Sequence, residues 1–164
     1  MNTRTRKLSG LHGPVDLWRD AWGIPQVRAQ GADDAFFAMG YVHATDRLWQ
    51  MDALRRRSTG RYAEWVGAAA LPMDMLVRRM GLAECSRRDA VAVSPDTRAM
   101  LAAYTAGVNA AIAAEPLPLE YARLGETPAP WEDWHCVAVL RHTSLLLNSV
   151  YQKVWRAIAL PVVG

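Results

Sequence analysis

The sequence predicts an α+β protein that is mainly helical and opens with a short β-hairpin. Two long segments, at 34–57 and 134–160, repeat apolar residues with the spacing of a helix. Two short segments with the alternation of strands, at 15–19 and 26–30, flank a turn near the N-terminus. Because 51% of the 164 residues are hydrophobic and seven are tryptophan, the chain can bury the core of one or two domains.

The hairpin is predicted from alternating side chains and from turn-forming residues between the two strands. Val15, Leu17 and Arg19 fall on one side of the first strand, so that side can face a core. Gly23 and Pro25 supply the turn. Since two strands alone are marginal in water, we expect the hairpin to join a sheet supplied from elsewhere.

The first long helix, predicted over 34–57, has a wide apolar face on which the other elements are expected to pack. Asp33 or Asp34 suits its N-cap, because an acid there accepts free amides and meets the positive end of the helix dipole. The three arginines at 55–57 suit the last turn, and Gly60 suits the stop. The residues of the apolar face are Phe37, Tyr41, Ala44, Leu48 and Met51.

Shorter helices are predicted between the two long ones. Residues 60–66 and 73–80 each have the composition of a short helix, and Gly81 is a plausible stop for the second. The run Ser94-Pro95-Asp96 favours a helix start, with a capping hydroxyl, a proline at the first helical position and an acid, and its helix extends to about residue 115. An irregular, proline-rich crossing follows, with a short turn at 119–124.

The second long helix, predicted over 134–160, is apolar on all sides. No charged residue occurs between Arg141 and Lys153, and a helix of this kind must be enclosed by other elements. The rest of the chain supplies too few helices to enclose it, and the sequence stops at an apolar end. Together with the unpaired hairpin, these features predict that the chain is one piece of a larger protein.

Charge and composition argue against nucleic-acid binding and membrane insertion. The net charge is +3 and the pI is near 9.1, but the arginines are scattered beside acids and form no basic patch. The most apolar stretch, 136–164, is interrupted by Arg141, Lys153 and Arg156, so no transmembrane segment is predicted. The N-terminus has the charges of a signal peptide without the apolar run that should follow. The chain therefore either stays in the cytoplasm or begins after processing.

The histidines and cysteines do not form a metal-binding pattern. His135 and His142 share a helix face, but they are seven residues apart with no acid between them, which argues against zinc. Cys85 and Cys136 lie far apart, and we interpret them as two unpaired, buried thiols.

The first long helix also carries a polar row, which we interpret as a hydrogen-bonded structural network and not as a catalytic base with its partners. Phosphate-binding glycine loops and the GxSxG nucleophile motif are absent from the sequence. Residue chemistry alone therefore assembles no catalytic, metal or cofactor site. The polar row consists of His43, Asp46, Arg47 and Gln50.

A set of short motifs nevertheless occurs in a recognisable order. The motifs are Arg19-Asp20, Trp22-Gly23-Ile24-Pro25, Asp34-Ala35, Gly40-Tyr41-Val42-His43-Ala44, Asp46-Arg47-Leu48, Gln50-Met51, Arg55-Arg56, Gly60-Arg61 with Glu64, Ala103-Tyr104 and Gly107-Val108-Asn109-Ala110. With the proline-rich approach to Trp131, this order resembles the opening of the α chain in the penicillin acylase family, from Val15 onward. That family includes penicillin, cephalosporin and acyl-homoserine-lactone acylases.

The resemblance implies an N-terminal nucleophile hydrolase of αββα architecture, made as one precursor that cuts itself. Its α chain is mainly helical, wraps a separate β chain and adds strands to the sheets. Residues 15–164 would be this α subunit, which is not an independent domain, and residues 1–14 would be an N-terminal extension. The catalytic serine opens the β chain and uses its own α-amino group as base, so no catalytic residue is expected in this chain. The family also suggests a periplasmic location.

The resemblance places an acyl pocket against the last long helix. Family members that bind calcium use a glutamate where this chain has Val154, and some use an arginine where it has Leu147, so no metal is expected. The leucines at 145–147 favour an aliphatic acyl chain over a charged glutaryl group. Packing between helices is the alternative role for the implied pocket residues. These substrate-binding residues are Ser144, Leu146, Leu147, Asn148 and Tyr151.

The sequence thus leads to the hypothesis of an α subunit in a heterodimeric amide hydrolase. The substrates would be acyl-homoserine lactones, β-lactams or both, the partner would be a β subunit from the same precursor, and no cofactor would be needed. The alternative from another class is a free-standing helical binding module without catalysis. A downstream frame with a spacer and a Gly-Ser junction would distinguish the first from the second.

Overall fold

A computed structural model of the chain describes residues 7–147 and 149–163. The chain is mainly helical with a two-stranded hairpin near its N-terminus, as the sequence predicts. The strands are β1 (Asp16–Arg19) and β2 (Pro25–Arg28). The helices are α1 (Ala32–Thr59), α2 (Ala63–Val66), α3 (Leu71–Arg79), α4 (Leu82–Ala92), α5 (Pro95–Ala114), α6 (Leu119–Leu124), α7 (Asp133–Leu147) and α8 (Val150–Val163).

The hairpin pairs β1 and β2 in antiparallel register, with Leu17 opposite Val27, and each strand is shorter than predicted. Asp20 builds the turn, because its carboxylate accepts the backbone amides of Trp22 and Ile24 at 2.9 Å. Among residues 7–147 and 149–163, no third strand joins this sheet. The outer edges therefore present backbone groups that another strand can pair with.

The core forms where α1 crosses α5, and two glycines let the backbones approach closely. A Cβ on Gly40 would overlap the carbonyl of Tyr104, and a Cβ on Gly107 would overlap the carbonyl of Phe37. The predicted apolar face of α1 is confirmed, except that Met51 is only partly buried. The buried side chains around the crossing include Phe37, Tyr41, Val42, Ala44, Leu48, Leu101, Val108 and Ala111.

The start of α1 differs from the sequence prediction. Its N-cap is Gly31, and no side chain caps it. Asp34 lies inside the first turn, is buried, and accepts the amides of His12 and Gly13 at 2.8 and 3.0 Å. The predicted cap at Asp33 or Asp34 was therefore wrong, because the Asp34 carboxylate joins the N-terminal segment to the helix instead of closing the helix end.

The middle of α1 is kinked, whereas the sequence predicts one uninterrupted helix. Arg47 has φ −140° and ψ 20°, outside the helical region. Two residues before the kink, the Thr45 hydroxyl donates to the Tyr41 carbonyl at 2.8 Å. A bond of this kind often bends helices. Beside it, Asp46 accepts both terminal amines of Arg19, which joins the end of β1 to α1.

Several helices farther along also differ from the prediction. Helix α4 was not predicted from the sequence. Gly81 (φ +65°) is the N-cap of this helix and also follows the end of α3. Residues 119–124 form a helix and not only a turn. The single helix predicted over 134–160 was wrong, since α7 and α8 are separate. Ser149 is not helical and stands before α8, and serine favours helix ends over helix interiors.

A buried ionic network fixes the end of α1 to α6 and to the segment that leads into α7. Asp52, only 1% exposed, accepts Nε and Nη2 of Arg55 at 3.0 and 2.7 Å and the Tyr121 hydroxyl at 2.9 Å. Arg55 also donates to the carbonyls of Ala129 and Pro130 at 3.1 and 3.0 Å. Because breaking a buried ion pair leaves an uncompensated charge, this network holds the start of α7 in one position.

Candidate functional site

The residues implied as an acyl pocket lie at the end of α7 and the start of α8. Ser144 and Leu147 are one turn apart on the same side of α7, and both face solvent, with 82% of Leu147 exposed. The Ser144 hydroxyl donates to the Leu140 carbonyl at 2.9 Å, so it is already engaged within the helix. Asn148 and the side chain of Tyr151 lie outside the described residues.

Leu146 lies on another side of α7, about 100° around the helix axis from Leu147. It is 52% exposed and lines a cavity of about 400 Å³ with Arg57, Met73 and His142. The described part of the chain therefore does not bring Leu146 and Leu147 into one pocket. Arg57 and His142 were not predicted as neighbours of Leu146, although the four-residue spacing from His142 to Leu146 was an available signal.

Helix α8 presents an apolar stripe to solvent. The stripe consists of Val154, Trp155, Ile158 and Val162, which are 51%, 71%, 61% and 82% exposed. Residues 152–158 and 160–162 of α8 are all exposed, so the segment that the sequence predicts as enclosed on all sides is open in the described chain. A contiguous exposed apolar surface of this kind marks a site of interaction with another molecule or segment. The opposite side of α8 carries Gln152, Lys153 and Arg156 together with the exposed Leu160.

The polar row of α1 bonds to neighbouring elements. His43 Nδ1 lies 3.0 Å from the Tyr104 hydroxyl on α5, and Asp46 pairs with Arg19 at the end of β1. The predicted hydrogen bonding is confirmed for His43 and Asp46. Their bonds join different elements, however, and do not run along the row as the sequence spacing indicated.

The two histidines of α7 are buried. His135 Nδ1 accepts the Glu132 amide at 2.9 Å, and burial, assisted by nearby arginines, lowers the pKa of His135 to about 3. Burial and the charge of Arg57 likewise lower the pKa of His142. Both imidazoles are therefore neutral at pH 7. Within the described ranges, no group of three or more His, Cys, Asp or Glu side chains is arranged to hold a metal ion.

Several serine hydroxyls bond to backbone carbonyls within the helices. Ser58 and Ser86 each donate to the carbonyl four residues earlier at 2.6 Å. Cys85 and Cys136 are free thiols, as predicted. Each is only partly buried, whereas the sequence prediction had them buried. In the part of the chain that the structure describes, no serine or cysteine is hydrogen-bonded to a histidine. Over the same residues, no helix combines the length and apolarity needed to cross a membrane.

The fold resembles that of a penicillin acylase chain of known structure. Its structure is similar to the thermostable penicillin G acylase from Alcaligenes faecalis, with a TM-score of 0.74 over 83% of this chain and 74% of that chain, at 31% identity. The family model described as penicillin amidase matches residues 14–161, which is most of the sequence. The chain belongs to the penicillin amidase family.

Curated relatives carry the names of two kinds of acylase. The penicillin acylase 2 proenzyme of Pseudomonas sp. (strain SE83) is 52% identical over 158 residues, which is 96% of this chain. The acyl-homoserine lactone acylase QuiP of Pseudomonas aeruginosa is 37% identical over 145 residues, which is 86% of this chain. These matches cover 20% and 17% of the relatives, so the chain spans about a fifth of their length.

Proposed function

We propose that this chain is the α subunit of a self-processed heterodimeric hydrolase that cleaves N-acyl amides, namely acyl-homoserine lactones, β-lactams or both. Residues 15–164 would form the subunit and residues 1–14 an extension. The β subunit would come from the same precursor and complete the αββα arrangement. Family membership and the names of the relatives support the amide-hydrolase chemistry.

The observation that carries the proposal is the exposed apolar surface at the end of α7 and along α8. Leu147, Trp155 and Val162 are 82%, 71% and 82% exposed. An interface with a partner chain would bury these apolar side chains. The hairpin supports the same conclusion, because its outer edges offer backbone groups to a further strand. A partner chain that covers α8 and pairs with the hairpin would satisfy both features.

The β subunit would supply the reacting groups. Its N-terminal serine oxygen attacks the amide carbonyl, while its α-amino group takes the hydroxyl proton and passes it to the departing amine. Water then cleaves the acyl ester, which releases the carboxylic acid and restores the serine. The proposed contribution of this chain is the wall of the acyl pocket, formed by Ser144, Leu146, Leu147, Asn148 and Tyr151. An exposed leucine at 147 suits an apolar acyl chain.

Expression of the complete reading frame tests the processing. We expect two chains, with the second beginning at a serine by N-terminal sequencing, and replacement of that serine by alanine should leave an inactive, uncut precursor. A reading frame that yields one uncut chain without amide hydrolysis would instead favour the free-standing binding module.

Turnover measurements test the pocket. Acyl-homoserine lactones of graded chain length are compared with penicillin G, and aliphatic chains are expected to give the higher kcat/KM. Leu147→Arg should lower kcat/KM for the long chains about tenfold or more, since it places a charge against an apolar group. Leu119→Arg is the control, because Leu119 is 63% exposed on α6. A preference for phenylacetyl over every aliphatic chain would refute the apolar pocket.

A further inference from the structure

A second cavity, of about 440 Å³, lies between the end of α1, helices α3 and α4, and the start of α7. Two carboxylates, Asp52 and Glu132, line it, and Asp52 is already bonded to Arg55 and Tyr121. Arginines outnumber these carboxylates in the wall. The arginines are Arg55, Arg56, Arg61, Arg78 and Arg87.

Three of the five guanidinium groups are held by ion pairs within the protein. Arg55 pairs with Asp52 at 2.7 Å, and Arg61 pairs with Glu64 at 2.8 Å. Arg56 pairs with Glu64 and with Glu126 at 2.5 and 2.8 Å. These three arginines therefore form the wall of the cavity, and their charges are largely compensated.

Arg78 and Arg87 have donors that remain available. Arg78 donates only through Nε, to the Gly60 carbonyl at 2.6 Å. The guanidinium of Arg87 lies 4.0 Å from the ring centre of Trp134, and its nearest carboxylate oxygen, on Glu84, is 3.9 Å away. Among the described residues, the terminal amines of Arg78 and the guanidinium of Arg87 have no hydrogen-bond acceptor.

His135 adds a buried donor to the same cavity. Its side chain lines the wall and is only 6% exposed as a residue. Because Nδ1 accepts the Glu132 amide, the proton of the neutral ring is on Nε2. Nε2 lies 3.9 Å from the Glu132 carboxylate, which is beyond hydrogen-bond distance. Burial, followed by the charges of nearby arginines, lowers the pKa of His135, so the ring is neutral at pH 7 and keeps this one proton.

We propose that this cavity binds a small free oxyanion, a phosphate or a carboxylate, through Arg78, Arg87 and the Nε2 proton of His135. Guanidinium groups bind both anions with paired hydrogen bonds. The three donors come from α3, α4 and α7, so a bound anion would join these helices. Because such a ligand binds only the folded chain, it would also stabilise the fold.

The test is a calorimetric titration at constant ionic strength and pH 7 of protein expressed from the complete reading frame. Inorganic phosphate and citrate are titrated separately. We expect saturable binding of at least one of them, and the anion that binds identifies the ligand class. The double variant Arg78→Gln/Arg87→Gln should weaken binding at least tenfold. The control is Arg79→Gln/Arg88→Gln, which removes the same charge at exposed neighbours outside the cavity and should change the Kd less than twofold.

Arg78→Gln also removes the bond to Gly60, so the single variant Arg87→Gln is measured beside the double variant. It should weaken binding about threefold or more while the far-ultraviolet circular dichroism stays unchanged. Failure of both anions to bind, or equal losses in the two double variants, would overturn the proposal. Neither result bears on amide hydrolysis, because the test does not use the α8 surface.

Discussion

Gly40 and Gly107 lie at the crossing of α1 and α5, where each backbone touches the other. In Gly107→Ala the new methyl group would meet the Phe37 carbonyl, which belongs to a helix backbone and cannot rotate away. The two helices must then separate over the centre of the core. We expect the free energy of unfolding to fall by about 3 kcal/mol, measured by denaturant titration of the protein from the complete reading frame.

Gly31→Ala is the matched control for this prediction. A Cβ at Gly31 meets no atom within 4 Å, and its φ of −125° is accessible to alanine. The loss should therefore stay near 0.5–1 kcal/mol, about the cost of a poorer N-cap. Equal losses at the two positions would contradict the close-approach argument.

His135 should make the fold sensitive to acid. Its pKa is about 3 in the folded chain, below the ordinary value of 6.5, so the unfolded chain binds a proton between these values and the folded chain does not. The contribution of His135 to stability is complete above pH 6.5 and is lost as the pH falls towards 3. His135→Asn keeps an acceptor for the Glu132 amide and should flatten this part of the stability–pH curve.

The control for the acid prediction is His43→Asn, which changes an exposed histidine on α1. Chemical unfolding at several pH values between 7 and 4 gives the slope for each variant. An unchanged slope in His135→Asn, or an equal reduction in His43→Asn, would show that His135 is not the residue responsible.

At the scale of elements, α4 shows how tertiary contacts form a helix that its own pattern does not indicate. Only Leu82 and Ser86 of α4 are buried, too few for a recognisable apolar face. Most of its tertiary contacts are made to α7, where Arg141 donates through Nε to Asp89 at 2.9 Å and Arg87 stacks on Trp134. These partners are about 50 residues away in sequence, so the periodicity of α4 alone could not predict them.

Helix α8 is an element separate from α7, and its apolar stripe is exposed. We expect Ile158→Glu to lower the yield of processed two-chain protein severalfold, because it places a charge within the apolar stripe. Gln152→Glu is the control, since it adds the same charge on the opposite side of α8. Yields are compared by gel filtration and mass spectrometry. A similar yield for both variants would contradict the use of the stripe as an interface.

At the scale of the whole molecule, the accessible surface is large for the mass of the chain. The chain of 18.2 kDa exposes 10,887 Å². A compact monomer of this mass is expected to expose about 8,100 Å², so the excess is roughly a third. The 164-residue chain expressed alone should therefore bind a hydrophobic dye and associate, whereas the processed two-chain protein should do neither.

Dye fluorescence and analytical ultracentrifugation check this expectation. A cooperatively melting, monomeric 164-residue chain without dye binding would contradict both the open surface and the proposed partner. Dye binding by the processed protein equal to that of the separate chain would show that α8 stays exposed after assembly.

Local features of the candidate site were predictable, but their spatial relation was not. The spacing of Ser144 and Leu147 predicts one face of a helix, and the structure places them so. That Leu146 shares a cavity with Arg57 and His142 depends on how α7 packs against α1 and α3. The pocket role of these residues stays a prediction.

The sequence by itself determined the features that depend on residues close together in the chain. Ser94 caps α5 by accepting the Thr97 amide at 3.2 Å, as the Ser-Pro-Asp run predicts, and the apolar spacing of α1 chose its buried face. Only the tertiary structure decided the glycine contact between α1 and α5, the bonding of Asp34 to the N-terminal segment, and the exposure of α8. The physical reason is that caps and helix faces depend on residues a few positions apart. Crossings and open surfaces depend on contacts between residues distant in the chain.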